Sequence, residues 1–522
     1  MEERHSKLWS VLDVLFSHEA YRIGLLLLVT LRSCQLLNPY IGPLVKWTLL
    51  WAAAILVRDL FTKRLLFRNR FRGVLILFLL AYGVTCITQL HNQLARNVAM
   101  LFYMTANLMV VYAYDPEKKP GAVKEEILRL SHAFMYLTFS GHIISLLAFV
   151  MNVRYRFTYM EGEFERRCWL GFYNGRLWGF FTNPNAASNF AVLNLMMMVV
   201  CLTILGRNIT KGRKRFYIAN LIVQSLIFFL SNSRSSWLCV YFFLLIVPFL
   251  GLMYGKDHPF QGKKLPWKTM VRRAAAVTAA AVLLYTGGDT IAKDLLPHFI
   301  IRTNYFSQQL AQLPGSDMPD ADEDPELDET PTNLEREDFG AKLGGRYYLW
   351  RAGALIVKNH PILGVGAENI ESYAKEYAPR SVSDPTAEPY LPGIQDGLHN
   401  ILFQIAASSG LVGLLLMGIV AVGFLWRLVR YAIWACKKKC VCPTVLALGA
   451  LILTMLFRSM TETGLIYGVY YTSIIFWSAV SGVLCLIEQQ TAGDPAWSRQ
   501  PLLARVEAKI FRRKGQEGVN HG

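Results

Sequence analysis

The stretch HNILFQIAASSGLVGLLLMGIVAVGFLW (residues 399–426) decides the fold class of this chain. It runs for 28 residues without an Asp, Glu, Lys or Arg. About 20 apolar residues in a helix cross the hydrocarbon core of a bilayer, and a helix satisfies every backbone amide internally. We therefore predict a membrane-spanning helix over this stretch.

Apolar runs of similar length recur along the whole chain. Of its 522 residues, 53% are hydrophobic and only 17% are charged, whereas about 25% are charged in typical soluble domains. The prediction is an all-α polytopic membrane protein with about twelve transmembrane helices. The candidate spans are approximately 20–38, 41–57, 73–90, 94–114, 131–151, 184–205, 216–231, 235–254, 273–290, 399–426, 443–458 and 466–487.

Basic residues are concentrated in alternate connections between these spans. Examples are RDLFTKRLLFRNRFR (58–72), GRNITKGRKR (206–215) and the tail with Arg505, Lys509 and Arg512. Because Lys and Arg favour the cytoplasmic side, both termini are predicted to lie in the cytoplasm. The net charge of +17 then indicates contact with anionic lipids at the inner face rather than with nucleic acid.

One connection, between spans nine and ten, is much longer than the others and is predicted to be extracytoplasmic. Residues 289–398 contain nine Lys/Arg against 19 Asp/Glu, concentrated in an insert at 316–339 that is poor in apolar residues. Such a composition is typical of a disordered spacer. The predicted divisions are 1–180 with spans one to five, 181–290 with spans six to nine, the loop 291–398, 399–490 with the last three spans, and a basic cytoplasmic tail at 491–522.

The loop changes character after the acidic insert. GGRYYLWRAGALIVKNH (344–360) has apolar residues at helical spacing, which predicts an amphipathic helix ended by Pro361. The following ILGVGAENI (362–370) predicts a glycine turn and a second helix starting near Ala367. A tight turn is favoured over a phosphate cradle for these glycines, because no buried strand precedes them.

Polar residues gather at the predicted outer ends of the spans. Arg234 lies in the turn between spans seven and eight, Arg346 opens the amphipathic helix, and His399 begins span ten. Arg458 and Glu462 follow the outer end of span eleven. Each has an ordinary structural interpretation: an arginine reaching the headgroups, a surface arginine, a capping histidine or a simple ion pair.

The order of the motifs resembles the O-antigen ligase and O-antigen polymerase superfamily. His399-Asn400, followed after nine residues by Gly410-x-x-Gly413, is similar to the hallmark of that family. The turn SNSRSSWL (231–238), the run GGRYYLWRAGALIVKNHPILGVGAENI (344–370) and TNPNAAS (182–188) resemble other family segments. The resemblance covers about residues 180–425. It does not account for the acidic insert, and the first five spans carry no recognisable motif.

The resemblance implies a GT-C-like membrane glycosyltransferase in the bacterial plasma (inner) membrane. Such enzymes move a glycan from an undecaprenyl-pyrophosphate carrier to an acceptor hydroxyl at the outer face; the acceptor is a glycan, lipid or protein. His399 would be the catalytic base, and Arg234 and Arg346 would bind the diphosphate, with no metal and no cofactor. Weaker candidates for substrate contacts are Asn400, Asn183, Asn185 and Arg458.

Three alternatives stay open. The motifs do not separate a ligase from a polymerase of polysaccharide repeat units, although His-Asn with Gly-x-x-Gly leans towards the ligase. A transporter or lipid flippase would place its charged residues at mid-membrane, and a scaffold would need no convergent site. Only the hypothesis of an enzyme predicts that Arg234, Arg346 and His399 line one outward-facing cavity.

Overall fold

The computed structural model describes residues 12–34, 36–62, 65–161, 164–173, 175–181, 183–254, 267–301, 305–312, 334, 345–378, 389, 391, 393–438, 440–495 and 497. The predicted acidic insert, apart from Leu334, and nearly all of the predicted basic tail lie outside the described residues. The chain forms two compact units. Unit 1 comprises Met1–Leu26, Lys46–Ile127 and Ala341–Gly522; unit 2 comprises Leu27–Val45 and Leu128–Gly340.

Helices dominate the described chain. The α-helices are α1 (His18–Arg32), α2 (Asn38–Phe61), α3 (Leu65–Arg68), α4 (Arg72–Thr88), α5 (Leu94–Thr105, continued by a π-helix at Ala106–Val111), α6 (Pro120–Val150), α7 (Pro184–Leu205), α8 (Lys211–Ser231), α9 (Arg234–Tyr254), α10 (Trp267–Leu295), α11 (Tyr305–Ala311), α12 (Arg346–Asn359), α13 (Ile370–Tyr377), α14 (Ile401–Lys438), α15 (Pro443–Arg458) and α16 (Tyr471–Gln490). Short 3₁₀ segments lie at Leu296–Phe299, Ala367–Asn369 and Ile394–Asp396.

Seven of the described helices are long and apolar enough to cross a membrane. Three more, at Arg72–Thr88, Arg234–Val247 and Pro443–Arg458, are apolar but shorter. The prediction of a helical polytopic membrane protein is therefore confirmed. The count of about twelve spans stays a prediction, since only these ten described helices are apolar by this measure.

The connection after α6 departs from the all-α prediction. Strands β1 (Tyr155–Glu161) and β2 (Phe164–Leu170) form an antiparallel hairpin, and a second, two-residue pair follows with β3 (Phe172–Tyr173) and β4 (Arg176–Leu177). Tyr155, Phe157 and Cys168 form a small buried cluster on one face of the hairpin. A strand of this kind needs only a period-two pattern over seven residues, which is too short to form an apolar run of membrane-spanning length.

In unit 1, helix α14 is broken at Gly410, where φ is 65° and ψ is −171°. The break frees backbone groups on both sides, and the loop after α12 occupies them. Four backbone hydrogen bonds join loop and helix: Val365 N to Ala407 O at 2.8 Å, Gly366 N to Ser408 O at 3.0 Å, Leu411 N to Pro361 O at 2.7 Å and Val412 N to Ile362 O at 3.3 Å. Buried backbone groups need such partners, above all within a membrane.

Close approach explains the glycines at this junction. A Cβ on Gly410 would lie 2.0 Å from the carbonyl oxygen of Ile362, and one on Gly364 would lie 2.4 Å from that of Ala407. Both residues also have positive φ, which favours glycine. The prediction of a tight turn at Gly364–Gly366 is confirmed, and the Gly366 amide is used by the broken helix.

The helices predicted in the long loop are confirmed. The amphipathic helix is α12, and the second helix begins with the 3₁₀ turn at Ala367. The buried residues of α12 are Leu349, Ala352 and Ile356, which pack with Ile370 and Ala374 and against α14. This packing orients the start of α12 relative to the start of α14.

In unit 2, helices α6, α7 and α8 are joined by a buried chain of side-chain hydrogen bonds. His142 Nδ1 contacts Gln224 Oε1 at 2.6 Å, and Gln224 Nε2 donates to Asn220 Oδ1 at 3.0 Å. Asn220 Nδ2 donates to Asn194 Oδ1 at 2.6 Å, and Asn194 Nδ2 donates to Thr138 Oγ1 at 2.7 Å. Because these buried amides are paired with one another, they join three apolar helices through hydrogen bonds.

Candidate active site

His399 lies in the last turn of the loop, directly before α14. The side chain of Asn400 caps this helix, because its Oδ1 accepts from the amide of Leu402 at 2.9 Å. His399 itself has φ 49°, a left-handed conformation that costs a non-glycine residue roughly 1–2 kcal/mol. Such strain persists only where the surroundings impose it, and it is common at functional sites.

Glu462, in the connection between α15 and α16, links two of the predicted site residues. Its Oε2 lies 3.0 Å from Nδ1 of His399, and its Oε1 accepts from Nη2 of Arg346 at 2.7 Å. All three side chains are partly buried, with exposed fractions of 16% for Glu462, 19% for His399 and 30% for Arg346. One carboxylate therefore holds an imidazole and a guanidinium side by side.

Three hydrogen bonds to backbone carbonyls tie the two loops that carry His399 and Glu462. The amide of Ile401 donates to the carbonyl of Ser459 at 2.8 Å, and Asn400 Nδ2 donates to the carbonyl of Met460 at 3.0 Å. Thr463 Oγ1 donates to the carbonyl of Asp396 at 3.1 Å. These bonds hold the two loops together and so fix the positions from which His399 and Glu462 reach each other.

The electrostatics keep Glu462 ionised. Burial alone would raise the pKa of this carboxyl group. The hydrogen bond from His399 and the positive charges of Arg458 and Arg346 outweigh burial, so the pKa lies below its ordinary value of 4.5. With two arginines near one carboxylate, the cluster keeps an excess of positive charge.

The contact with Glu462 also fixes the tautomer of the His399 imidazole ring. A carboxylate can only accept, so Nδ1 carries the proton and donates it to Glu462. The neutral ring then has its lone pair on Nε2. Within the part of the chain that the structure describes, Nε2 makes no hydrogen bond, and it is free to accept a proton.

A second polar group lies in unit 2, at the turn between α8 and α9. Arg176 Nη2 donates to Asn185 Oδ1 at 2.7 Å, and Arg176 Nε donates to the carbonyl of Ser231 at 3.0 Å. Ser233 Oγ donates to the same Asn185 oxygen at 3.3 Å. Arg234 follows as the first residue of α9.

Two of the predicted substrate-binding amides have structural roles as helix caps. Asn183 Oδ1 accepts from the amides of Asn185 and Ala186 at 2.9 and 3.3 Å, which caps α7. Asn400 caps α14 in the same way, as described above. Contacts of Asn183, Asn185 and Asn400 with a substrate stay predictions.

The structure therefore groups the predicted residues in two sets. Arg346, His399, Asn400 and Arg458 belong to unit 1, whereas Arg234, Asn183 and Asn185 belong to unit 2. The convergence of Arg234 with Arg346 and His399 stays a prediction. Sequence reasoning did not include Glu462 and Arg176 among the site residues. The only signal for Glu462 was its position just after Arg458, and that position suggested a simple ion pair.

Part of the chain matches the model of a known protein family. Residues 219–418 match the family model described as O-antigen ligase. This segment runs from α8 into α14 and includes Arg234, Arg346, His399 and Asn400. No curated protein matches the chain. The match confirms the resemblance that the motifs indicated.

Proposed function

We propose that this multi-pass membrane protein, whose residues 219–418 match the O-antigen ligase family, transfers a glycan from a polyprenyl-diphosphate carrier to an acceptor hydroxyl at the outer membrane face. The observation that carries this proposal is the contact of His399 and Arg346 with the same Glu462 carboxylate. This contact places a proton acceptor, His399, beside a cation that can bind phosphate, Arg346. Both side chains lie just outside the membrane helices.

His399 takes the proton in the proposed reaction. The acceptor oxygen attacks the anomeric carbon of the donor sugar while its proton passes to Nε2. The bond between that carbon and the diphosphate oxygen breaks, and the electron pair stays on the diphosphate. This single displacement inverts the anomeric centre. Glu462 holds the ring in the required form and stabilises the imidazolium that results, as a carboxylate does for other catalytic histidines.

Arg346 and Arg458 stabilise the departing diphosphate. A guanidinium stays charged at every physiological pH and pairs phosphate oxygens with two parallel N–H groups. Arg346 uses Nη2 for Glu462, and within the described residues its other N–H groups make no hydrogen bond. Charge that develops on the leaving oxygen therefore meets preorganised donors, which is a large contribution in many enzymes.

The proposed role of Arg234 in binding the diphosphate rests on its sequence motif and on its place at a helix start in unit 2. Arg234 opens α9, so its backbone amide lies at a helix N-terminus, where phosphate groups are favoured. The hydrogen bonds of Arg176, Asn185 and Ser233 hold the preceding turn in place.

The test is a reconstituted transfer reaction. Purified protein in lipid nanodiscs receives a carrier-linked oligosaccharide with and without a soluble glycan acceptor, and released polyprenyl diphosphate and elongated acceptor are quantified. We expect release that depends on the acceptor. Elongation of the donor glycan without any acceptor would instead identify a repeat-unit polymerase, and no release from any carrier-linked donor would contradict the proposal.

A further inference from the structure

A group of basic side chains in unit 1 binds one end of the π-helix Ala106–Val111. The last carbonyls of a helix have no partners within it and carry partial negative charge. Three side chains from α1 and α4 contact these carbonyls, each at a different residue: Arg72 with Met109 at 2.8 Å, His18 with Val110 at 2.9 Å and Arg22 with Val111 at 2.8 Å. The predicted topology places this end of the π-helix at the cytoplasmic side.

The contacts of His18 fix how many protons it shares. Its Nδ1 faces the carbonyl of Val110, and its Nε2 lies 2.6 Å from Oδ2 of Asp59, near the end of α2. A carbonyl and a carboxylate can only accept, so both ring nitrogens must carry protons. If the carboxyl group of Asp59 is protonated instead, the pair still holds the same number of protons. The contact therefore depends on one proton that a neutral imidazole beside a carboxylate lacks.

Loss of this proton leaves two acceptors in contact. The lone pair on Nε2 and the carboxylate of Asp59 would repel each other at 2.6 Å, while the Nδ1–H of His18 keeps its bond to Val110. The carboxylate must then move away. Histidine is the side chain whose charge ordinarily changes between pH 5 and 8, and exposed fractions of 16% for His18 and 11% for Asp59 give water access to the pair.

A cavity beside Asp59 gives the carboxylate room to move. Its volume is about 150 Å³, and it is lined by Leu56, Leu60, Met109, Asp59 and Arg72. Arg72 is the only cation among these lining residues. Its Nε is buried without a hydrogen-bond partner in the part of the chain that the structure describes, and the charge of Asp59 already acts on its guanidinium. Arg72 is therefore the second partner available to Asp59.

Other ionisable groups surround this cluster. The charges that act on Arg22 and Arg72, besides Asp59, come from Glu19 on α1, Tyr112 and Tyr114 after the π-helix, Glu126 on α6 and Cys485 on α16. On α2, Arg58 precedes Asp59 and pairs with Asp13 at 2.9 Å. None of these groups is a histidine, so His18 is the member of the cluster whose charge is expected to change between pH 5 and 8.

We propose that His18 and Asp59 form a proton-operated switch at the inner end of unit 1. With the proton in place, Asp59 bonds to His18 and joins α1, α2 and the π-helix. When the proton passes to water, the carboxylate turns across the cavity to Arg72, whose guanidinium stays charged. Because Asp59 has a different partner in each state, protonation selects between two arrangements of these elements.

The π-helix connects the switch to the connection that carries Glu462. Asn107 Nδ2 donates to the carbonyl of Gly468 at 3.0 Å, in the segment between α15 and α16. The switch therefore acts on an element that is bonded to the loop of the candidate site. It goes beyond glycan transfer and does not depend on that reaction.

The test follows the two partners of Asp59 by solid-state NMR. Full-length protein in nanodiscs carries ¹⁵N-labelled histidine and arginine side chains, and spectra are recorded from pH 5.5 to pH 9. The signals of His18 are assigned by their loss in His18→Gln, and those of Arg72 by their loss in Arg72→Lys. We expect two protonated ring nitrogens on His18 at low pH and one at high pH. The Nε signal of Arg72 should shift in the same pH step.

Three variants separate the switch from a simple titration. In Asp59→Asn and in His18→Gln the Nε signal of Arg72 should no longer shift with pH, because either the moving carboxylate or the proton is missing. Arg58→Gln is the matched control, since it breaks the neighbouring ion pair with Asp13 and should keep the shift. An Arg72 signal that stays fixed while His18 titrates in the wild type would overturn the inference, even if a variant fails to fold. The same shift in Asp59→Asn would also overturn it.

Discussion

Glu462 organises the candidate site because its two oxygens serve different side chains. One accepts from Arg346 and the other from His399. The histidine and the arginine could be proposed from sequence, since both lie in recognisable motifs at predicted helix ends. The carboxylate could not, because the contact depends on how the connection between α15 and α16 packs against the start of α14.

The pKa of Glu462 makes its role testable by pH. Its folded-state pKa lies below the ordinary value of 4.5, so its ion pairs stabilise the fold above that pH and are lost as the pH falls through the folded-state pKa. We expect Glu462→Gln to lower the unfolding free energy by roughly 1 kcal/mol at pH 7. This deficit should shrink in acid, as followed by the melting temperature from tryptophan fluorescence.

Glu368 is the matched control for this measurement. Burial raises the pKa of Glu368, although the charge of Arg96 opposes the shift. A raised carboxyl pKa contributes stability at low pH that is lost as the pH rises. Glu368→Gln should therefore be least harmful at pH 7, opposite to Glu462→Gln. The same pH trend for both variants would contradict the assigned electrostatics.

At the scale of elements, the break in α14 is what joins the long loop to the membrane helices. The glycine motifs on either side of this junction were visible in the sequence, and so was the turn at Gly364. The sequence did not show that the two motifs depend on each other. The amides and carbonyls freed at the Gly410 break are bonded by the loop segment 361–366, which lies far earlier in the chain. Hydropathy treats residues 399–426 as one continuous helix and does not detect the break.

Two alanine substitutions in the same helix test the junction. Gly410→Ala puts a Cβ 2.0 Å from the Ile362 carbonyl oxygen at positive φ. We expect a loss of at least about 1–3 kcal/mol, because the backbone conformation of Gly410 is one that almost only glycine adopts. Gly418→Ala adds a methyl group in open space and should stabilise by up to about 1 kcal/mol. Equal melting temperatures for the two variants would show that the break is not required.

At the scale of the whole molecule, the positions of most membrane helices could be predicted because bilayer thickness sets their length. Predicted span 184–205 coincides with α7, and 443–458 coincides with α15. Hydropathy alone does not fix the span count, because α15 is short and α8 begins with the basic segment KGRKR (211–215). The strands of the hairpin β1–β2 are too short to be detected by hydropathy.

The predicted orientation can be tested with two single cysteines. Tyr347, on α12, is 55% exposed and is predicted outside; Lys214, at the start of α8, is also exposed and is predicted inside. A membrane-impermeant maleimide should label Tyr347→Cys in intact cells and Lys214→Cys only after permeabilisation. The unsubstituted protein measures labelling of the native cysteines, which in the wild type are buried or partly buried. The reverse pattern would invert the topology and place His399 in the cytoplasm.

The most direct test of the central claim is single-turnover glycan transfer by His399→Ala. The reaction uses saturating carrier-linked donor and acceptor in nanodiscs, and His298→Ala serves as a control because His298 is exposed in the same connection between α10 and α14. Loss of a general base should slow transfer by about 10²–10⁴-fold, with expression and membrane insertion unchanged, while His298→Ala retains the wild-type rate. Transfer by His399→Ala at the wild-type rate would contradict the account.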